Sequence, residues 1–168
     1  WLACLANCES EGAPCGACWS CRQIPNGQHP DVILVTVDPK KTAPIISVAQ
    51  ARSLQQQLMV KPFHARKRFV IIDPADAMTA EAANALLKTF EDPPSQTHFI
   101  LVTGAPASLL LTVRSRSQRV RFAPVDTATM VPWLQQRGIE QPERVARAAE
   151  GCPGRALSLD TSGIDVWR

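Results

Sequence analysis

Three groups of residues in this chain have the types and spacing to do chemistry. The densest is Cys15-x2-Cys18-x2-Cys21, with Cys4 and Cys8 upstream, so five of the six cysteines fall within the first 25 residues. No charged segment followed by an apolar core marks a secretion signal at the N-terminus. Disulfides do not persist in a reducing compartment, which leaves metal ligation as the better use of this spacing. Three thiolates from a tight turn can fill three corners of a tetrahedral zinc site. Cys8 is the expected fourth ligand, because the loop containing Pro14 can fold it back, and Cys4 is the reserve. A ferredoxin-type cluster would need a cysteine where Pro25 stands, which favours zinc over iron. Free structural thiols are the competing reading. The second group centres on Asp73, which ends the apolar run Phe69-Val70-Ile71-Ile72; ligands bind beyond the carboxyl ends of strands in open α/β sheets. The third is Arg114-Ser115-Arg116-Ser117, a basic turn that with Arg119 and Arg121 could equally be one solvated basic edge.

The elements that must position these groups follow from periodicity. The short, wholly apolar, β-branched run at 69–72 predicts a buried strand of a parallel sheet. Thr79 is placed to cap a helix from about Ala80 to Phe90, whose Ala83, Leu86, Leu87 and Phe90 share one face, and Pro93-Pro94 stops it. Val32 to Val37 and Phe99 to Thr103 predict two further strands. Ser47 and Gln50 form a capping box for a helix to about Met59, with Val48, Ala51, Leu54 and Leu58 inward. Lys40 to Pro44 reads as a polar loop. His29, before Pro30, reads as a solvated loop histidine, and Arg66-Lys67-Arg68 as a solvated approach to the central strand. Val120 and Phe122 alternate with Arg119 and Arg121, which predicts a half-exposed strand. Two helices follow, Thr127 to Gly138 and Pro142 to Gly151. Pro132 should kink the first, and Pro142 and Gly151 suit a start and a stop.

Composition excludes little. At 168 residues, 45% hydrophobic and 20% charged, the chain has length for one domain and part of another. A net charge of +3 is too small to argue for nucleic acid. No run approaches the ~18 apolar residues of a membrane span. The chain lacks a starting Met, and Trp1-Leu2-Ala3 reads like the middle of a helix, which suggests a fragment.

The exact wording is more specific than the pattern. Asn84 to Pro94, NALLKTFEDPP, closely resembles the NALLKTLEEPP segment of bacterial clamp-loader AAA+ ATPases. The resemblance extends from the cysteine module to GCPGRALSL (Gly151 to Leu159), which is similar to the sensor 2 segment. It implies an α/β fold: an AAA+ type P-loop NTPase core at 1–122, a parallel sheet flanked by helices, with an inserted zinc module at about 4–25. Part of a small helical lid domain would follow at 123–168. No G-x-x-x-x-G-K-[ST] occurs, so a fragment lacking the P-loop and the C-terminal collar domain is expected.

By the same resemblance Asp73 stands at the Walker B position and Thr103 at sensor 1, though Thr103 could be an ordinary strand-end threonine. The residue after the Walker B Asp is usually the catalytic Glu; here it is Pro74, which can neither orient a water nor accept its proton. Gly154 stands where motor subunits carry an Arg, and Arg155 lies one place on, about 100° around the helix. Both departures imply a non-hydrolysing subunit, and HPD at 29–31 is similar to the same class. Ser115-Arg116-Ser117 resembles the family's SRC motif, with Ser117 in place of the usual Cys; in the family this Arg enters the ATP site of the adjacent subunit. The implied cofactors are Zn2+ and the neighbour's ATP/Mg2+. The implied partners are other clamp-loader subunits (gamma/tau and delta) in a five-subunit arc, the sliding clamp and primed DNA. Such a subunit would be cytoplasmic and without membrane contact. It would belong to the DNA polymerase III holoenzyme, a nucleotidyltransferase, without an activity of its own. The alternatives are an active motor subunit of the same complex, or a small metal protein that binds nucleic acid or does redox chemistry.

Overall fold

The computed structural model describes residues 1–38 and 44–159, so most of the polar loop expected at Lys40 to Pro44 lies outside the described residues. Three strands, β1 (Val32–Val35), β2 (Arg68–Ile72) and β3 (Thr97–Leu101), form a parallel sheet in that order. Helix α3 (Val48–Leu58) connects β1 to β2 and α4 (Ala80–Glu91) connects β2 to β3, as parallel pairing requires. Register aligns Val35, Ile72 and Leu101 in one row and Ile33, Val70 and Phe99 in another. Val35, Val70 and Ile72 are buried against Ala51, Leu54 and Leu58 of α3 and Ala82 and Leu86 of α4. This layer is the core of the α/β unit.

Local chemistry fixes both helix starts. The capping box is complete: the Gln50 side chain accepts from the Ser47 backbone N–H at 3.0 Å while the Ser47 hydroxyl accepts from the Gln50 N–H. The Thr79 hydroxyl accepts from the Ala82 N–H at 3.2 Å. The Ile46 N–H donates to Ala77 O at 2.8 Å and the Thr79 N–H to Ile46 O at 3.0 Å, which ties the two starts together. Beyond β2 the chain passes through a 3-10 turn, Ala75–Ala77.

The chain divides into two compact units, Trp1–Gln118 and Arg119–Arg168. The first also contains α1 (Leu2–Asn7), α2 (Trp19–Gln23) and the short α5 (Leu111–Arg114). The described part of the second contains α6 (Thr127–Gln135), α7 (Pro142–Ala148) and α8 (Pro153–Ser158). Its core is Met130 and Leu134 of α6 with Val145, Ala146, Ala149 and Ala156. Gly151 has φ +80°, and a Cβ there would lie 2.3 Å from the Pro124 Cβ, so glycine is required.

Three expectations are corrected. Val120 and Phe122 are exposed and join no strand, because no described strand lies beside them to pair with. His29 is not solvated: it is 2% exposed, against the Trp19 ring at 5.0 Å. Arg68 is also buried, its guanidinium 3.5 Å from the Asp31 carboxylate.

Candidate metal centre and arginine turn

Cys8 follows the end of α1, and Cys18 caps the start of α2. Between them, Gly16 takes φ +68°, a left-handed turn that costs glycine little and lets the chain fold back over the Cys15 sulfur. The backbone then donates to sulfur repeatedly. Ala17 and Cys18 N–H groups reach Cys15 Sγ at 3.4 and 3.3 Å, Cys21 N–H reaches Cys18 Sγ at 3.5 Å, and Cys15 N–H reaches Cys8 Sγ at 3.4 Å. The sulfurs of Cys8, Cys15, Cys18 and Cys21 all lie within 4.8 Å of one another and could hold a metal ion. A tetrahedral zinc with bonds of about 2.3 Å sets its sulfurs roughly 3.8 Å apart, so closure needs a contraction of at most about 1 Å. Cys4 stays outside the set and packs behind it in the module's small core.

The electrostatics suit a cation. The Cys18 N–H, the Ser10 hydroxyl and the Ala17 N–H hold the Cys15 thiol down to about 6, while burial pushes Cys21 up to about 12. Cys18 is lowered, first by the Glu9 backbone and then by the Cys21 N–H. Four crowded sulfurs cannot all be thiolates without a counter-charge. A divalent ion would displace the remaining protons.

The module is clamped to the sheet. The Asn7 side-chain amide donates to Lys67 O at 2.9 Å and accepts from the Lys67 N–H at 3.0 Å. Trp19 sits against both His29 and His64, the latter at 4.8 Å. Asp31 accepts from the Phe63, His64 and Ala65 N–H groups at 2.7–2.9 Å. Burial raises the Asp31 carboxyl, but those donors and Arg68 outweigh it and hold it below the usual range.

Asp73 lies at the carboxyl end of β2, exposed, with its backbone N–H on Val35 O at 3.0 Å. Thr103 follows β3, and its hydroxyl bonds within the chain in both directions. It donates to the Asp76 carboxylate and accepts from the Ala105 N–H at 3.0 Å. Sequence reasoning passed over Asp76, and only its position three residues after Asp73 pointed to it.

Arg116 lies in the turn after α5. Its Nη1 donates to Thr112 O at 2.9 Å and to Ser115 Oγ at 3.3 Å, and its Nη2 pairs with the Glu91 carboxylate. Among Arg114, Arg116, Arg119 and Arg121, the ion pair belongs to Arg116. Glu91 was visible in NALLKTFEDPP only as part of a motif. In the second unit, Arg155 pairs with Glu150 at 2.8 Å.

A parallel layer with helical crossovers, preceded by a four-cysteine group that could hold a metal ion, defines an α/β protein. The crystal structure of a DNA polymerase III gamma subunit-related protein from Thermotoga maritima matches with a TM-score of 0.53 and 26% identity, over 76% of this chain and 46% of that one. The profile of the family described as "DNA polymerase III, delta subunit" matches residues 1–126, and the chain belongs to that family. The delta' subunit of Bacillus subtilis is 38% identical over 133 residues, 79% of this chain and 38% of that protein. The delta' subunit of Yersinia pestis is 40% identical over 134 residues, 80% of this chain and 38% of that protein. The chain therefore spans well under half the length of these two relatives. No helix among the described residues is long and apolar enough to cross a membrane.

Proposed function

We propose that this chain is part of a delta'-type subunit of a DNA polymerase III clamp loader that hydrolyses no ATP itself and lends Arg116 to the ATP site of an adjacent subunit. The single observation that carries the reading is the exposed turn after α5, where one arginine of four is held in place by a carboxylate. γ-Phosphoryl transfer spreads negative charge over the phosphate oxygens. A permanently charged, planar guanidinium stabilises that charge in the geometry phosphate presents. A finger given in trans makes hydrolysis depend on assembly.

The subunit's own strand ends support the other half of the reading. Asp73 and Thr103 occupy the Walker B and sensor 1 positions that the family resemblance assigns. Pro74 supplies no base there, and the Thr103 hydroxyl donates to Asp76 and accepts from Ala105. In this reading Cys8, Cys15, Cys18 and Cys21 hold one structural zinc, and residues 123–168 begin a helical lid. The partners are gamma/tau and delta subunits, the sliding clamp and, through the complex, primed DNA, in the cytoplasm.

The test is reconstitution of the complete loader with and without the full-length subunit. Loading of the clamp onto primed DNA should require it, while the isolated subunit shows no ATP turnover. Turnover by the isolated subunit at the rate of a motor subunit would overturn the reading.

A further inference from the structure

The pair between Glu91 and Arg116 joins two elements, the last residue of α4 and the turn after α5. With Nη2 on Glu91 and Nη1 on Thr112 O, both terminal nitrogens of the guanidinium already donate within the chain. Bidentate grip on a phosphate needs two adjacent N–H groups aimed at it. Glu91 and Thr112 O take N–H groups from both terminal nitrogens, so the guanidinium is oriented by its own chain rather than free to turn toward a phosphate. The two side chains are 36% and 47% exposed, so the pair is solvent-screened and weak enough to exchange. A nucleotide γ-phosphate carries more negative charge than a carboxylate and can outcompete it.

We propose that Glu91 is a positioning residue that restrains Arg116 on its own subunit, so that the finger is released only when the neighbour's bound nucleotide displaces the carboxylate. This rests on the reading of Arg116 given above. Glu91 touches no reacting atom and acts through the arginine. Its place at the end of α4, one residue before Asp92-Pro93-Pro94, means that any shift of that helix end would change how firmly Arg116 is held.

The test uses the complete assembly containing the full-length subunit and reads steady-state ATP hydrolysis without clamp or DNA. Glu91→Gln should raise turnover about two- to fivefold at the one site Arg116 serves, the range an exposed ion pair carries, and total hydrolysis by a smaller factor. Glu91→Asp keeps a carboxylate and should stay closer to the unmodified rate. The double variant Glu91→Gln/Arg116→Ala should match Arg116→Ala alone. A rate for Glu91→Gln at or below the unmodified one, or a rise that persists in the double variant, would overturn the restraint. A pair that merely braces α4 against α5 would lower the thermal midpoint of both single variants alike and leave the Glu91→Gln rate unchanged. Arg116→Ala indistinguishable from the unmodified assembly would instead remove the finger itself, so the two failures are separable.

Discussion

The ends of β2 and β3 and the turn after α5 are two polar sites on one scaffold, built in opposite ways. At the strand ends the chain satisfies itself: the Thr103 hydroxyl both donates and accepts within the chain. At the turn a permanent cation stays partly exposed, held by the Glu91 carboxylate. Under the function proposed above, the first is the subunit's own nucleotide edge and the second the edge it offers to a neighbour. Both sites sit on the strand–helix layer, and their hydrogen bonds and ion pair run within that layer and its loops.

That separation can be broken first at the module, where the largest effect is expected. Purified under reducing conditions, the full-length protein should carry one zinc, and Cys21→Ser should abolish stoichiometric zinc by elemental analysis. Structural zinc is worth about 10–16 kcal/mol of apparent binding in small peptides, so residues 1–25 should become protease-sensitive. The strand layer should keep its protection from hydrogen exchange. Iron in place of zinc would overturn the zinc assignment, and a sheet that unfolds with the module would end the idea that the two polar sites are independent of the metal.

A smaller effect is expected where the module meets the sheet. Asp31→Ala removes the acceptor for three N–H groups and leaves Arg68 buried without its counter-charge. Breaking a buried pair in this way costs about 3–5 kcal/mol, which lowers the melting midpoint by roughly 6–20 °C. Because the folded carboxyl is held below its usual range, its contribution is present above the unfolded value of about 3.9 and is lost as pH falls through the lower folded value. Chemical denaturation from pH 7 to pH 2 should therefore show a flatter profile below about pH 4 for Asp31→Asn than for the parent.

The smallest effect is expected at the strand ends. Asp76→Ala frees the Thr103 hydroxyl from an exposed bond and should cost no more than about 1 kcal/mol by urea titration. Hydrolysis by the assembly should not change. A clear fall in ATP turnover would mean that this edge takes part after all, and the contrast between the two sites would fail.

What the sequence made legible was local. The capping box of Ser47 and Gln50, the Thr79 cap, the apolar face of α4 and the Cys15-Cys18-Cys21 spacing are all decided within a few residues of chain. The partnerships that define the sites are not local. Arg68 finds Asp31 across 37 positions, Thr103 finds Asp76 across 27, and Asn7 reaches Lys67 across 60. His29 looked like a loop residue before a proline, and nothing near it in sequence announced that Trp19 would cover it. Val120 and Phe122 carried the alternation of a strand, but alternation supplies no partner for the backbone. The wording around Arg116 pointed to the residue, while the carboxylate that holds it became visible only when α4 and α5 were placed side by side.

The most direct measurement is ATP hydrolysis and clamp loading by the reconstituted assembly carrying single alanine substitutions at Arg116, Arg119 and Arg121. Arginine fingers are worth about 10³ to 10⁵ in rate at the site they serve, or roughly 4–7 kcal/mol of barrier. Arg116→Ala should silence that one site, lower total hydrolysis only in part, impair clamp loading and leave assembly intact. Arg119→Ala and Arg121→Ala should do much less. Equal, small effects at all three positions would contradict the account and reduce the turn to a solvated basic edge.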